Sequence, residues 1–363
     1  MSPPASEMRL GGMGISRRDL VSGAAGLALT SAIPARAFAA PADPEVARAL
    51  SLVDPELRAM ATQLTAMPFP PLSDATIAAL RQSAAQWIKP PRVDIPIQDR
   101  KIAGAKGAPD ILIFVVNAKP GTSRPAILHT HGGGFVSGDP HLDLPNLQLI
   151  AQTLDCAIVT VDYRLAPETR FTGSIEDNYA GLKWLHANAA ELGADRRKIA
   201  VMGESAGGGH AALLAITARD RGEVPVMFQC LIYPMLDDRT GSTRDVAPPV
   251  GVLMWTEPSN RYGWRSFLGV EPGGPRVPRA AVPARVASVA GLSPAFIGVG
   301  SLDLFVDEDI AYATRLVDAG ISAELRVVPG AFHGFDIVVE GAKISKDFTA
   351  AKIDALRRAF AHV

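Results

Sequence analysis

The sequence has few residues of several kinds, and each shortage excludes a class of protein. Only two cysteines occur, Cys156 and Cys230, and both lie in or beside apolar runs typical of buried strands. A disulfide-stapled framework is therefore excluded, and we expect both thiols to be unpaired core groups. Acidic and basic residues nearly cancel, to a formal net charge of -1. No strong field favours a nucleic acid or an acidic membrane, so we expect a small-molecule substrate.

The chain is nevertheless long and apolar enough to bury a large core. It has 363 residues, of which 48% are hydrophobic. This size predicts one large domain, or one domain with an elaborate insertion, and excludes a disordered or fibrous protein.

Residues 1–40 differ from the rest and predict a signal peptide resembling a twin-arginine signal. Arg17 and Arg18 precede an apolar run over 21–33, and small residues follow around Ala37 and Ala39. A membrane anchor is the alternative, but the run is too short and too rich in small residues to span about 30 Å of hydrocarbon. We expect cleavage near Ala37 or Ala39 and export to the periplasm or the medium, with no integral membrane segment afterwards.

The remainder predicts an α/β protein. Residues 41–92 have a helical pattern interrupted by the proline-rich segment 67–71, which predicts two helices joined by an elbow. Residues 93–363 alternate short β-branched runs with helical stretches, which predicts an eight-stranded, mostly parallel sheet flanked by helices. The first three runs lack room for helices between them and should be antiparallel. The eight runs are 93–97, 111–116, 126–130, 157–161, 199–202, 230–233, 296–299 and 325–328.

Between the sixth and seventh strands, the alternation stops. Residues 237–290 are rich in proline and glycine and contain several aromatic residues. A structureless loop of this length is improbable in a compact domain, so we expect a helix around 260–268. We interpret this insertion as a helical cap that packs with the amino-terminal helices over the active site.

A G-x-S-x-G sequence at residues 203–207 follows the fifth strand directly and precedes an Ala-rich helical run. A serine hydroxyl is a poor nucleophile unless a sharp strand-to-helix turn exposes it beside the amino end of a helix. The spacing therefore predicts Ser205 as a nucleophile. The next residue, Ala206, would offer its backbone N–H to an oxyanion.

A second glycine-rich sequence, HGGGF at residues 131–135, follows the third strand. Backbone N–H groups reach a developing oxyanion only where side chains are absent, so we predict that Gly133 and Gly134 donate with Ala206 to an oxyanion hole. His131 is expected to orient this loop. The alternatives are a plain turn or a phosphate loop, although the Lys and Ser/Thr that a phosphate loop requires do not follow.

With these motifs, the chain resembles the bacterial hormone-sensitive-lipase family of α/β-hydrolases. The segments YRLAPE at 163–168 and HGF at 333–335 belong to the same resemblance, which runs from about residue 111 to the carboxyl end. The resemblance implies an α/β-hydrolase fold with Ser205 as nucleophile, Asp303 as acid and His333 as base. It also implies that amino-terminal helices form part of a cap.

Chain order in this fold also indicates the acid and the base, because both follow the nucleophile on loops after late strands. Asp303 follows the seventh strand and His333 follows the eighth. Asp307, Glu308 and Asp309 are competing acids, but they open a helix and are interpreted as first-turn carboxylates.

Four aromatic residues are predicted as substrate contacts, although packing roles are an alternative for the two tryptophans. They are Phe135, Trp255, Trp264 and Phe335. His129 and His131 have a spacing that could suggest a metal site, yet no third ligand is near in sequence, so we expect no metal and no cofactor.

Three functions are consistent with these residues. The first is a carboxylesterase that hydrolyses short-acyl carboxylic esters through a Ser-His-Asp triad and an acyl-enzyme. The second is an amidase, or a deacetylase of sugars or drugs, on the same fold. The third is a non-catalytic ligand-binding protein, which the presence of His333 disfavours. A small-molecule ester is the expected partner, and a homodimer is left open.

Overall fold

The computed structural model describes residues 43–66 and 71–361. The predicted signal at 1–40 and residues 67–70 of the predicted elbow lie outside the described residues. Within the described part, no helix is both long and apolar enough to cross a membrane.

One eight-stranded sheet forms the centre of the protein, in the order β1-β2-β4-β3-β5-β6-β7-β8. β1 pairs antiparallel with β2, β2 pairs antiparallel with β4, and the remaining pairs are parallel. The predicted mostly parallel α/β-hydrolase sheet is therefore confirmed. The strands are β1 Ile97–Ile102, β2 Ile111–Val116, β3 Arg124–Thr130, β4 Ala157–Asp162, β5 Ala194–Glu204, β6 Phe228–Ile232, β7 Ala295–Gly300 and β8 Ala323–Val328.

The first strand begins later than its sequence pattern predicts. The pattern predicts a strand at 93–97, whereas β1 starts at Ile97 and Val93 is fully exposed. Pro96 lacks a backbone N–H and cannot donate to the ladder, so pairing starts after it.

β2 and β3 are not neighbours, because β4 lies between them. β3 runs parallel to β4, as a helical crossover requires.

Helices cover both faces of the sheet. Side chains of α5 and α7 pack on one face and those of α4 and α11 on the other, so the central strands are buried on both sides and have apolar runs rather than alternating patterns. The helices of four or more residues are α1 Pro44–Leu52, α2 Arg58–Ala66, α3 Ile77–Ala84, α4 Leu144–Leu154, α5 Phe171–Ala187, α6 Ala189–Leu192, α7 Ala206–Arg221, α8 Glu257–Leu268, α9 Val306–Asp318, α10 Phe335–Val338 and α11 Lys343–Ala361.

The amino-terminal helices pack in two different places. The segment leading to α3 contacts α8, where the Tyr262 hydroxyl donates to Asp74 at 3.0 Å. Helices α1 and α2 instead pack on the cluster that contains α11. The backbone N–H between them at Asp54 donates to the carbonyl of Gly330 at 3.0 Å, close to the loop that carries His333.

The insertion between β6 and β7 contains α8, near the predicted position, and its two ends are joined. Asp238 near the start accepts hydrogen bonds from the guanidinium of Arg285 near the end, with 3.0 Å between Oδ2 and Nη2. Asp238 is fully buried and forms a salt bridge with Arg285, so the base of the insertion is closed. β6 and β7, from which it leaves and to which it returns, pair directly.

Candidate active site

The G-x-S-x-G sequence forms a tight turn between β5 and α7. Ser205 has φ 57 and ψ -123, a strained conformation for a residue with a side chain. Its N–H donates to the carbonyl of Ile232 at 2.9 Å, which anchors the strained residue to β6. A Cβ on Gly203 would lie 2.3 Å from the Gly207 carbonyl oxygen, and one on Gly207 would lie 2.0 Å from the Thr130 oxygen. Both glycines are therefore required by the close approach of backbone.

Ser205, His333 and Asp303 form a continuous chain of hydrogen bonds. The distance from Ser205 Oγ to His333 Nε2 is 2.9 Å, and that from His333 Nδ1 to Asp303 Oδ2 is 2.8 Å. Asp303 is fully buried and its other carboxylate oxygen accepts from the N–H of Phe305 at 3.0 Å. The carboxylate is thereby held in place, and it fixes the imidazole with a proton on Nδ1 and a free Nε2 toward the serine.

Aromatic rings enclose the imidazole of His333. Tyr233 and Phe305 contact it edge-on, with ring centroids 4.9 and 5.2 Å away, and Trp255 lies at 6.3 Å. His333 is 7% exposed and Ser205 is 8% exposed. The hydrogen-bonded chain is thus shielded from bulk water but retains a small accessible face at the serine.

The glycine loop packs against the turn at Ser205. A Cβ on Gly132 would lie 3.6 Å from Ser205 Cβ. The carbonyl of Gly133 accepts hydrogen bonds from the N–H groups of Val136 and Ser137, at 3.1 and 2.9 Å, and from the Ser137 hydroxyl. In a planar trans peptide the N–H points opposite to the carbonyl, so the N–H of Gly134 points away from the Val136–Ser137 turn.

Three backbone N–H groups at this place lack an acceptor. In residues 43–66 and 71–361, those of Gly133, Gly134 and Ala206 donate to no protein oxygen. Ala206 is the first residue of α7, where a helix leaves its N–H groups unpaired. Gly133 has φ 122, and a Cβ there would lie 2.1 Å from the Ser137 carbonyl oxygen. Only glycine fits this position.

The structure separates Asp303 from the three competing acids. Asp307 is exposed, and Glu308 accepts from the N–H groups of Leu236 and Asp237 at 2.6 and 3.1 Å. Burial raises the pKa of Glu308 to about 8. Asp309 is fully buried, and burial, with Glu308 and Asp303 nearby, raises its pKa well above the ordinary range. Asp303 is the acid that contacts His333.

His131 lies in the interior of the glycine loop. Its Nδ1 donates to the carbonyl of Gly132 at 2.9 Å, and its ring stacks on Tyr163 with centroids 4.2 Å apart. The Tyr163 hydroxyl in turn donates to the His131 carbonyl at 2.7 Å. Burial lowers the pKa of His131 to about 4, so the ring is neutral near neutral pH and can keep this donor arrangement.

His129 contacts Glu204, the residue directly before the serine. Its Nε2 lies 2.8 Å from Glu204 Oε2 and its Nδ1 lies 2.9 Å from the Thr160 hydroxyl, all in the interior. Burial opposes the charge of both partners, but their mutual attraction outweighs it, raising the pKa of His129 and lowering that of Glu204. The sequence did not indicate this ion pair. Among the described residues, no group of three His, Cys, Asp or Glu side chains is arranged to hold a metal.

The four predicted substrate contacts have different environments. Trp255 is half-buried and covers Gly134, where an added Cβ would lie 2.3 Å from the indole. Phe135, 1% exposed, stacks on Phe267 at 4.1 Å between centroids and packs near Trp264 at 5.0 Å. Trp264 and Phe335 have no accessible surface, and Phe335 packs on a core ring, Phe348. Of the four, Trp255 alone presents a substantial face near the serine; the predictions for the other three do not fit their burial.

One residue near the site was missed by sequence reasoning. Arg81 on α3 donates to the carbonyls of Val136 and Ala166, at 2.7 and 2.8 Å, and forms a bidentate pair with Glu168. Its partners lie 55 to 87 positions away, and helical periodicity carries no signal for such contacts.

Comparison with known proteins identifies the family. A family model described as alpha/beta hydrolase fold matches residues 127–337. Carboxylesterase NlhH of Mycobacterium tuberculosis is 34% identical over 301 residues, which cover 78% of this chain and 89% of that protein. An ethyl acetate hydrolase of Pseudomonas putida is 31% identical over 219 residues, 60% of this chain and 67% of that protein. A solved structure described as a bacterial heroin esterase has a TM-score of 0.77 and 36% identity, covering 86% of this chain and 99% of its own.

The chain belongs to the α/β-hydrolase fold family. Within that family, its resemblance to the hormone-sensitive-lipase group of bacterial esterases, inferred from the two glycine motifs, is confirmed by the relatives and by the structural match.

Proposed function

We propose that this protein is a carboxylesterase that hydrolyses short-acyl carboxylic esters through an acyl-enzyme on Ser205. The observation that carries the proposal is the hydrogen-bonded chain from Ser205 Oγ through His333 to Asp303, at 2.9 and 2.8 Å. These distances lie within the range in which a base takes a proton from a nucleophile.

Each step of the proposed reaction uses one of these groups. As Ser205 Oγ attacks the ester carbonyl carbon, its proton passes to His333 Nε2, and Asp303 stabilises the imidazolium that forms. The carbonyl oxygen becomes an oxyanion and accepts hydrogen bonds from the N–H groups of Gly133, Gly134 and Ala206. Loss of one such donor raises the barrier by roughly 2.7–4 kcal/mol in comparable sites.

Collapse of the tetrahedral intermediate then expels the alcohol, which takes the proton from His333 Nε2. Water repeats the sequence on the acyl-enzyme and releases the carboxylic acid and free Ser205. Every proton transfer in this scheme is carried by side chains, so the scheme needs no cofactor.

A short acyl group is supported by two observations. Trp255 covers Gly134 and lies 6.3 Å from the ring of His333, which leaves little room for a long chain on that side. One relative is named for ethyl acetate, whose acyl group has two carbons.

The test is a series of p-nitrophenyl esters from acetyl to palmitoyl, with p-nitroacetanilide as the matched amide. We expect fastest hydrolysis of the short esters and little of the anilide. Ser205→Ala should lower kcat by several orders of magnitude without changing the circular dichroism spectrum. Near-normal hydrolysis by this variant would reject the proposed nucleophile, and a preference for the anilide would make the protein an amidase.

We also propose that residues 1–40 direct export, on the sequence alone. Replacing Arg17 and Arg18 together by lysine should keep the charge but retain a fused reporter inside the cell, because a twin-arginine route reads the arginines themselves. Unchanged export of the reporter would reject this route.

A further inference from the structure

Arg81 uses its whole guanidinium to join α3 to two loops beside the site. Nε donates to the Val136 carbonyl at 2.7 Å and Nη2 to the Ala166 carbonyl at 2.8 Å. Nη1 and Nη2 also bind the carboxylate of Glu168, at 2.8 and 2.9 Å. The Arg81 side chain is 29% exposed, whereas that of Glu168 is 63% exposed. The two carbonyl contacts are therefore the better shielded part of the arrangement.

The Val136 carbonyl belongs to the peptide that orients the glycine loop. In that peptide the Ser137 N–H points opposite to the Val136 carbonyl, and it donates to the Gly133 carbonyl at 2.9 Å. The Gly133 carbonyl in turn shares a peptide with the Gly134 N–H, which points the other way. Arg81 is thus connected to the Gly134 N–H through two peptides, Val136–Ser137 and Gly133–Gly134, which a hydrogen bond joins.

The Ala166 carbonyl provides a second link to the same loop. The N–H of Ala166 donates to the carbonyl of Phe135 at 3.0 Å, while Arg81 holds its carbonyl. Phe135 has φ 66, a left-handed conformation that is strained for a residue with a side chain. A strained residue persists only where its surroundings hold it, and Arg81 binds the residue after Phe135 directly and Phe135 itself through Ala166.

We propose that Arg81 is a positioning residue for the oxyanion hole, through which seating of α3 on the body of the enzyme orients the Gly134 N–H. This inference rests on the proposed function, since it assigns a role in the same reaction. α3 then acts on the chemistry of the site. Arginine is required because its planar fork donates to both carbonyls at once, whereas a lysine ammonium is a point donor on a flexible stem.

The test compares Arg81→Ala and Arg81→Lys with two controls. Lys89→Ala removes another ion pair between the amino-terminal segment and the body, that of Lys89 with Glu340 at 2.9 Å, which has no contact with the glycine loop. Glu168→Gln weakens the carboxylate pair but leaves both carbonyl acceptors of Arg81 in place.

The Gly134 N–H is proposed to bind the oxyanion, which forms only in the transition state. Loss of its orientation in the Arg81 variants should therefore lower kcat and leave KM unchanged. With p-nitrophenyl acetate, we expect kcat of Arg81→Ala to fall about 10- to 100-fold while KM stays within about threefold, a smaller loss than outright removal of a donor. Arg81→Lys should recover only part of this loss. Lys89→Ala and Glu168→Gln should keep kcat within about twofold, as expected for exposed ion pairs.

Two results would overturn the inference. One is a kcat for Arg81→Ala within about twofold of the unchanged protein, and the other is an equal fall in Lys89→Ala, which would indicate general loosening of the amino-terminal segment. If Arg81→Ala does not fold, the same test applies to Arg81→Lys, and a kcat within about twofold of the unchanged protein would overturn the inference. Esterase activity that persists in Ser205→Ala would reject the proposed function itself. Activity that requires Ser205 but does not change in the Arg81 variants would reject only the positioning role of Arg81.

Discussion

Replacing His129 with leucine should destabilise the protein by about 3–5 kcal/mol near neutral pH, because it leaves the carboxylate of Glu204 buried without a partner. Glu204 is 5% exposed and His129 is fully buried. Glu204 Oε1 already has no hydrogen-bond partner in the described part of the chain. The contact of Oε2 with His129 at 2.8 Å therefore offsets most of the cost of burying this carboxylate.

The double variant His129→Leu with Glu204→Met distinguishes the cost of an unpaired buried charge from the cost of lost packing. It removes both charged groups and fills the space with apolar side chains, and such replacements of buried ion pairs are commonly neutral or stabilising by about 1–4 kcal/mol. His141→Leu is the matched control, since His141 pairs with Asp139 at 2.6 Å but the two side chains are 44% and 48% exposed. We expect this exposed pair to contribute no more than about 1 kcal/mol.

The free energy that the His129–Glu204 pair contributes to stability should also depend on pH. The pKa of His129 is raised above 6.5, so its contribution is complete below pH 6.5 and is lost as the pH rises through the folded value. The pKa of Glu204 is lowered below 4.5, so its contribution is complete above pH 4.5 and is lost as the pH falls through the folded value. The pair should therefore stabilise most between these two values. Lys352 also acts on the pKa of both groups, and Asp143 acts on that of His129.

Urea unfolding followed by the fluorescence of the four tryptophans measures these free energies. A loss below about 1 kcal/mol in His129→Leu would refute the reasoning. So would a double variant as unstable as the single one, because the deficit would then come from lost packing instead of an unpaired charge.

Three further predictions concern single residues near the site. Gly133→Ala should lower kcat about 10²- to 10³-fold in the p-nitrophenyl acetate assay, because a Cβ at φ 122 lies 2.1 Å from the Ser137 carbonyl oxygen and displaces an oxyanion donor. Trp255→Ala should lower KM for hexanoyl esters relative to KM for acetyl esters. Trp264 is fully buried, so Trp264→Phe should change thermal stability without changing this ratio of KM values. Equal ratios in the two variants would contradict this prediction. Since the pKa of His131 is lowered from 6.5 to about 4, this residue should destabilise the fold as the pH falls across that interval, and His131→Asn should show a shallower pH dependence in urea unfolding.

The hydrogen-bonded chain of Ser205, His333 and Asp303 was predictable from sequence because each of the three is tied to a local signal. Ser205 lies in a motif whose glycines are required by backbone contacts, and Asp303 and His333 follow the two last strands of the sheet. Chain order therefore suffices to select them. The sheet was predictable for the same reason, since buried parallel strands have continuous apolar runs.

Contacts between distant segments were not predictable. Nothing local distinguishes Arg81 from other arginines on a helix, and nothing in the spacing of the aromatic residues separates Trp255, at the site, from Trp264, in the interior. The surroundings of His210 also depend on rings from distant segments. In the structure it is fully buried among aromatic rings, including Phe135 and Tyr163, and burial lowers its pKa to about 3, so it packs there as a neutral ring.

The closed base of the insertion has a consequence for how enzymes of this shape diversify. Because Asp238 and Arg285 join the two ends, and β6 and β7 pair directly, we expect the roughly fifty residues between to be exchangeable as one segment. Transplanting the corresponding stretch from a relative, with Asp238 and Arg285 retained, should carry over the donor's preference among substrates while the recipient keeps its own Ser205, Asp303 and His333.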